Sequence, residues 1–151
     1  MCGIVGYTGT QAAAAPILLE GLKKLEYRGY DSAGIAVIHD KHILVSKVTG
    51  RIAGLAEKTE DGKLLPGMTG IGHTRWATHG APEDINAHPH RSGKVVLVHN
   101  GIIENDRTLR AALAERGLSP VSETDTELIA ILLNECYAGD PLAAIRQTTA
   151  Q

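Results

Sequence analysis

The sequence contains no phenylalanine, and its 151 residues include only one tryptophan and four tyrosines. An interior without large aromatic rings must be filled mainly by Ile, Leu, Val and Ala side chains. The scarcity of aromatic side chains also argues against a surface that stacks nucleic-acid bases. Long apolar runs are missing too, since no stretch approaches the roughly eighteen residues of a membrane span. We therefore expect no nucleic-acid partner and no membrane partner.

An excess of charge is likewise missing, because 15 basic residues (Lys and Arg) stand against 17 acidic ones (Asp and Glu). Only two cysteines are present, Cys2 and Cys136, which are too few for the disulfide framework of a small secreted protein. No basic segment followed by an apolar run and a cleavage site begins the chain. We expect a cytoplasmic protein with reduced thiols, whose partners are small molecules or other proteins.

Hydrophobic patterning predicts one domain of mixed helices and strands. Strands are predicted at residues 3–8, 33–39, 43–48, 69–73 and 94–99, and helices at residues 11–26, 51–58, 106–116, 124–137 and from 140 onward. The apolar run at 95–98 is typical of a strand covered on both faces. Thr124 and Glu127 predict a capping box at the fourth of these helices. The fold class is therefore α+β or layered α/β.

Cys2 is the most informative single residue. Removal of one initiator methionine would leave its thiol and a free α-amine on the same residue. A thiol attacks a carbonyl carbon as the thiolate, so it needs a proton acceptor near neutral pH. An α-amine titrates at about 7.7 to 8.0 and can take that proton directly or through one water. On position alone, however, Cys2 can also be an ordinary second residue.

Several polar residues fall on loops that follow predicted strands or begin a helix. Arg75 could bind a carboxylate through two parallel hydrogen bonds, although a solvated arginine is the simpler interpretation. Asp125 could hold an ammonium group, and it could equally serve the helix dipole. Asn100 and Gly101 could donate N–H groups to a tetrahedral oxyanion, but an Asn-Gly pair is also typical of a tight turn.

Histidines invite two further hypotheses. Five of the seven are His73, His79, His88, His90 and His99. Their spacing does not match a zinc motif, so we expect no metal. A histidine-assisted cysteine hydrolase, in which His79 or His99 activates Cys2, remains open, and it would not need the α-amine.

Six segments together are identified as those of a known family. They are residues 2–6 (CGIVG), 25–34 (LEYRGYDSAG), 72–80 (GHTRWATHG), 86–90 (NAHPH), 98–105 (VHNGIIEN) and 123–127 (ETDTE). The set resembles the glutaminase domain of class II glutamine amidotransferases. Within these, residues 25–34 point to the glucosamine-6-phosphate synthase branch.

The resemblance implies a role for each matching residue. Cys2 would be the nucleophile, with its freed α-amine as the base and with Asn100 and Gly101 as the oxyanion donors. Arg75 would bind the α-carboxylate of L-glutamine and Asp125 its α-ammonium group, while Gly101 also contacts the bound amide. Trp76, Thr78 and His79 would lie on the loop that closes over the substrate. No metal or organic cofactor is implied.

The resemblance also implies an αββα sandwich of the N-terminal-nucleophile hydrolase type. Family domains of this kind continue past residue 151 and are followed by a sugar-phosphate isomerase domain. We therefore expect residues 1–151 to be a C-terminally incomplete glutaminase domain without the isomerase domain, which alone would bind fructose 6-phosphate. A homo-oligomer is compatible with the resemblance. The alternative is a catalytically silent glutamine-binding or regulatory module.

Overall fold

The computed structural model describes residues 2–77 and 80–151. The strands are β1 (Gly3–Thr8), β2 (Ser32–His39), β3 (His42–Thr49), β4 (Thr69–Arg75), β5 (His90–Ser92) and β6 (Val95–Leu97). The helices are α1 (Ala14–Leu25), α2 (Ile52–Lys58), α3 (Asp106–Glu115), α4 (Asp125–Cys136) and α5 (Pro141–Thr148). Within those residues, no helix has both the length and the apolar character needed to cross a bilayer.

The strands form two antiparallel sheets. The larger has the order β1-β4-β2-β3, and the smaller pairs β5 with β6. The turn between β2 and β3 carries Asp40 and Lys41 at φ 46° and 66°, the left-handed conformation of tight hairpin turns. This confirms the predicted hairpin. Pairing of β1 with β4 sets residue 3 opposite residue 74, so the chain start lies beside the end of β4.

Helices cover the outer face of each sheet. α1 packs against β1, β4 and β2, and its buried residues Leu18 and Leu22 belong to the main hydrophobic core. The segment that contains His88 packs against the other face of the larger sheet. It lies so close that a Cβ on Gly34 would collide with the His88 carbonyl oxygen. α4 packs on β5 and β6 and forms a second core with α3. The order of layers is helix, sheet, sheet, helix, as the family resemblance implied.

Two local expectations are wrong. β6 spans only Val95–Leu97, and its residues are half-buried rather than covered on both faces. Among the described strands it pairs only with β5, so one edge has no neighbour. The capping box is also not formed, because the Glu127 carboxylate accepts hydrogen bonds from the Val121 and Ser122 N–H groups at 3.0 and 2.6 Å. Thr124 meanwhile bonds to His90 at 2.9 Å.

Candidate active site

Five chain segments meet around one cavity of about 50 Å³. They are the start of β1, the end of β4, the residues just before β5, the loop after β6 and the start of α4. The residues that line it are Cys2, Arg75, Trp76, His88, His99, Asn100, Gly101, Thr124, Asp125 and Thr126. Six of the eight residues to which the resemblance gives a role are thus brought together: Cys2, Arg75, Trp76, Asn100, Gly101 and Asp125. The other two, Thr78 and His79, lie outside the described residues.

The position of Cys2 follows from the pairing of β1 with β4. The Gly3 N–H donates to Thr74 Oγ1 at 3.1 Å, which fixes the first residue of β1. The Cys2 sulfur then lies at the end of β4, where it accepts a hydrogen bond from the Trp76 N–H at 3.3 Å and lies 3.8 Å from the Trp76 carbonyl oxygen. The thiol is partly exposed and forms no disulfide. It is therefore held on rigid scaffold at the wall of the cavity.

Two side chains also hold the main chain of Cys2. Its carbonyl oxygen accepts hydrogen bonds from Arg28 Nε and from Asn100 Nδ2, both at 3.2 Å. The other end of the Asn100 amide, Oδ1, lies 2.8 Å from His73 Nε2. Asn100 is therefore anchored at both ends, beside Cys2.

Gly101 leaves space for a close contact with the imidazole of His99. A Cβ at this position would lie only 2.5 Å from His99 Nε2. The His99 N–H donates to His88 Nδ1 at 3.4 Å, which holds this loop against the histidines beneath it. Within the described chain, no acceptor is paired with the Gly101 N–H. That group is therefore available to a ligand in the cavity.

Arg75 is a buried cation, with only 4% of its surface exposed. Its guanidinium donates to the carbonyl oxygens of Gly80 and Ala81 at 3.3 and 3.2 Å. Burial lowers the pKa of Arg75 from its ordinary value, although an arginine remains protonated at any physiological pH. A positive charge at the cavity wall favours an anionic ligand group.

Asp125 supplies the opposite charge at the first turn of α4. Its Oδ2 accepts a hydrogen bond from the Ile103 N–H at 2.8 Å, and its Oδ1 accepts one from Thr126 Oγ1 at 3.3 Å. These bonds orient the carboxylate and leave it further acceptor capacity. Arg75 and Asp125 thus give the cavity both charges that an α-amino acid requires.

A pair of side chains links the loop after β4 to the start of α4. Glu123 Oε2 accepts hydrogen bonds from the Ala81 N–H and from Asn86 Nδ2, both at 3.0 Å. The buried Asn86 returns the contact, because its Oδ1 accepts from the Glu123 N–H at 2.9 Å. The link, which we call the Asn86–Glu123 clamp, joins the segment that holds Arg75 to the one that holds Asp125.

Three buried histidines lie beneath the cavity. The rings of His73 and His88 stack with centroids 4.2 Å apart, and His90 meets His88 edge-on at 4.7 Å. Burial lowers the pKa of His73 and of His90 to about 4, and it also lowers that of His88, where neighbouring histidines add to the effect. All three are neutral at pH 7. No group of three or more His, Cys, Asp or Glu side chains in residues 2–77 and 80–151 could hold a metal ion.

Three further residues shape this site although the sequence predicted no such role for them: Arg28, Asp31 and His73. Arg28 binds the Cys2 carbonyl, and the Asp31 carboxylate accepts a hydrogen bond from the Ala77 N–H at 2.7 Å, which anchors the loop after β4. Arg28 and Asp31 lie within residues 25–34, the short connection between α1 and β2. A short connection with several charged side chains is unusual, and this charge was the feature of the sequence that could have indicated a role.

Comparison with known proteins finds similarity to glutamine amidotransferases and aminotransferases. A family model described as a glutamine amidotransferase domain matches residues 73–146. Glutamine–fructose-6-phosphate aminotransferase (isomerizing) from Caldanaerobacter subterraneus is 55% identical over 149 residues, which are 97% of this chain and 24% of that protein. The same enzyme from Thermus thermophilus is 56% identical over 150 residues, again 97% of this chain and 24% of the relative.

Solved structures agree. Glutamine phosphoribosylpyrophosphate amidotransferase from B. subtilis, complexed with ADP and GMP, superimposes with a TM-score of 0.83 and 27% identity, over 99% of this chain and 32% of the other. A structure described as the allosteric regulatory enzyme of purine biosynthesis gives 0.84 and 28%, over 99% and 33%. The chain spans about a quarter of the length of the curated relatives it matches. Over almost all of its own length the chain is similar to the glutamine–fructose-6-phosphate aminotransferases, and residues 73–146 match the glutamine amidotransferase domain.

Proposed function

We propose that this chain hydrolyses the side-chain amide of L-glutamine, with Cys2 as the nucleophile. The observation that carries the proposal is the convergence of the Cys2 thiol, two potential oxyanion donors and two side chains of opposite charge on one cavity. The Cys2 sulfur would attack the amide carbon, and the N–H groups of Asn100 and Gly101 would hold the resulting oxyanion. Collapse of that intermediate breaks the C–N bond and leaves a γ-glutamyl thioester, which water then hydrolyses to glutamate.

The proposed base is the α-amine of Cys2, freed by removal of Met1. It would take the thiol proton and deliver it to the leaving ammonia. Among the described side chains, no imidazole lies within hydrogen-bonding distance of the Cys2 sulfur, whose contacts are with the backbone of Trp76. This favours the α-amine over His99 as the base. A cytoplasmic location, where thiols stay reduced, belongs to the same proposal.

Substrate orientation would come from the two charged residues. Arg75 would bind the α-carboxylate and Asp125 the α-ammonium group, so that the amide is directed toward Cys2. The cavity has room for only a few water molecules. A bound glutamine would therefore extend outward beneath Trp76. Thr78 and His79 are proposed to lie on the same covering loop.

The fate of ammonia is proposed from the relatives, whose name includes fructose 6-phosphate. Residues 1–151 would then act as a partial glutaminase domain of a longer amino-sugar-forming enzyme. Fructose 6-phosphate would bind only in a separate isomerase domain, outside these residues. Water would be the acceptor of the γ-glutamyl group in every case.

The test is glutamate release by chain freed of Met1, with processing verified by intact mass. We expect turnover of glutamine, and we expect Cys2→Ala to abolish it. Cys136→Ala is the matched control, because Cys136 is the other free cysteine and lies at the far end of α4, so this variant should keep full activity. Full activity of Cys2→Ala would overturn the proposal.

A comparison of blocked and free N-termini decides which base is used. Retained Met1 ties the nitrogen of Cys2 into a peptide bond, so activity should be lost if the α-amine is the base. Activity that survives with Met1 in place would instead support the histidine-assisted hydrolase. Calorimetry that shows glutamine binding without turnover would support a silent binding module.

A further inference from the structure

The orientation of the Asn100 amide is fixed by two partners. The Cys2 carbonyl oxygen can only accept, so the Asn100 group that faces it at 3.2 Å must be the NH₂. Oδ1 must then face His73 Nε2, 2.8 Å away, which therefore carries a proton. A reversed amide would set two acceptors against each other at Cys2. The pairing thus determines both the direction of the amide and the tautomer of the imidazole.

His73 has the environment of a dedicated single donor. It lies on β4, is fully buried and stacks on His88. Its other ring nitrogen, Nδ1, has no hydrogen-bond partner among the described residues. Desolvation lowers the pKa of His73 to about 4, so the ring stays neutral. Its single ring N–H donates to Asn100 Oδ1.

We propose that His73 is a positioning residue that keeps an Asn100 N–H directed at the oxyanion during amide hydrolysis. The inference rests on the proposed function, because it assigns Asn100 as an oxyanion donor. The NH₂ group has two hydrogens, of which the Cys2 carbonyl accepts one, and the second is left for the oxyanion. Without His73, only the Cys2 carbonyl opposes a rotation of the amide that would present Oδ1, whose lone pairs would repel the developing negative charge.

The test is a double-mutant cycle on glutaminase activity of the Met1-free chain. His73→Leu removes the donor, and we expect kcat to fall about ten- to a hundredfold, up to the loss typical of one missing oxyanion donor. The KM for glutamine should change less than about twofold, because Arg75 and Asp125 keep their contacts. His73→Gln places an N–H at the same reach and should restore most of kcat. In the Asn100→Ala background, His73→Leu should cost nothing further.

Two measurements separate positioning from a general structural role. Alkylation of Cys2 by iodoacetamide forms a C–S bond and expels iodide without any carbonyl oxyanion, so its rate should be equal in all variants. The ¹⁵N spectrum of the chain should show a neutral His73 with its proton on Nε2. Additive losses in the cycle, a His73→Gln variant as slow as His73→Leu, or a proton on Nδ1 would each overturn the inference. A processed wild-type chain without turnover contradicts the proposed function instead, and the ring spectrum then still judges the pairing.

Discussion

At the scale of single residues, one glycine allows the close packing of the backbone behind Cys2. A Cβ on Gly29 would lie 2.6 Å from the carbonyl carbon of Arg75 and 2.8 Å from the Trp76 nitrogen. Both atoms are backbone, so neither can swing aside. The φ of Gly29 is −172°, an extended value open to any residue, and the requirement for glycine is therefore one of space. The peptide in question is the one whose N–H contacts the Cys2 sulfur.

Replacement of this glycine should therefore damage activity through a backbone shift. We expect Gly29→Ala to lower the free energy of unfolding by about 1–3 kcal/mol, the usual cost of overpacking, and to reduce kcat at least about tenfold through misplacement of the Arg75–Trp76 peptide. Urea unfolding and glutaminase assays measure the two effects. Gly6→Ala is the matched control, since nothing lies within 4 Å of its Cβ position. Equal behaviour of the two variants would contradict this account.

The sequence could predict those candidate residues whose chemistry can be inferred without knowing which residues surround them in the fold. A cysteine at position 2 with a latent α-amine, or a loop Asn-Gly pair, suggests a reaction by itself. Arg28 and His73 suggest no reaction by themselves. Each contributes through a hydrogen bond to a group 26 or 27 residues away in sequence. Contacts of this kind depend on how distant segments of the chain come together, which sequence patterning does not determine.

At the scale of elements, the Asn86–Glu123 clamp holds two halves of the cavity together. Asn86 makes three hydrogen bonds through one buried amide, to the Ala81 carbonyl, to the Glu123 carboxylate and from the Glu123 N–H. Because Arg75 is bonded to the same loop, a shift of that loop would change its distance from α4. The clamp therefore controls the separation of the two charges proposed to hold the substrate.

Loss of the clamp should affect stability and substrate binding together. We expect Asn86→Ala to lower the free energy of unfolding by about 2–4 kcal/mol, because a charged and a backbone partner both lose their bonds, and to raise the KM for glutamine more than it lowers kcat. Denaturant unfolding and steady-state kinetics measure these changes. Asn105→Ala is the control, because Asn105 is exposed, and it should change the free energy of unfolding by less than about 0.5 kcal/mol. An unchanged KM in Asn86→Ala would argue against the clamp.

Most elements were predictable because their apolar residues repeat with the period of a helix or a strand. α1 and the β2–β3 hairpin follow this rule, and the Asp40-Lys41 turn agrees with it. The failures lie where tertiary partners compete for the same groups. Glu127 is drawn to the N–H groups of Val121 and Ser122 rather than to the helix end, and β6 is shortened at an edge where it has one neighbour. Neither competition is visible in a local pattern.

At the scale of the whole molecule, the three buried histidines link stability to pH. The groups that face them are Arg75 and His99 at His73 and His88, and Lys47 and Glu127 at His90. The folded pKa of each is below the ordinary 6.5, so the unfolded chain binds more protons than the native one in mildly acidic solution. This stabilisation is complete above about pH 6.5 and is lost as the pH falls toward 4, the folded value of His73 and His90.

Mild acid should therefore lower the stability of the chain before its surface carboxylates titrate. We expect each of the three histidines to cost about 1–2 kcal/mol of unfolding free energy between pH 7 and pH 5. Chemical denaturation at a series of pH values gives the slope. His88→Asn keeps an acceptor for the His99 N–H but cannot titrate, so it should make the slope shallower. A slope that is the same in this variant, or that is flat from pH 7 to pH 5 in the parent chain, would refute the linkage.

The two hydrogen bonds on the Cys2 carbonyl have a kinetic consequence. Their donors lie 26 and 98 residues further along the chain, and the Trp76 N–H on the sulfur lies 74 residues away. Contacts of such sequence separation close late, because the entropy of long loops must be overcome first. Burst-phase collapse and formation of the β2–β3 hairpin should therefore precede any enzymatic competence. During refolding, the return of glutamine turnover would then report when the last of these long-range contacts form. It should lag behind the recovery of secondary structure.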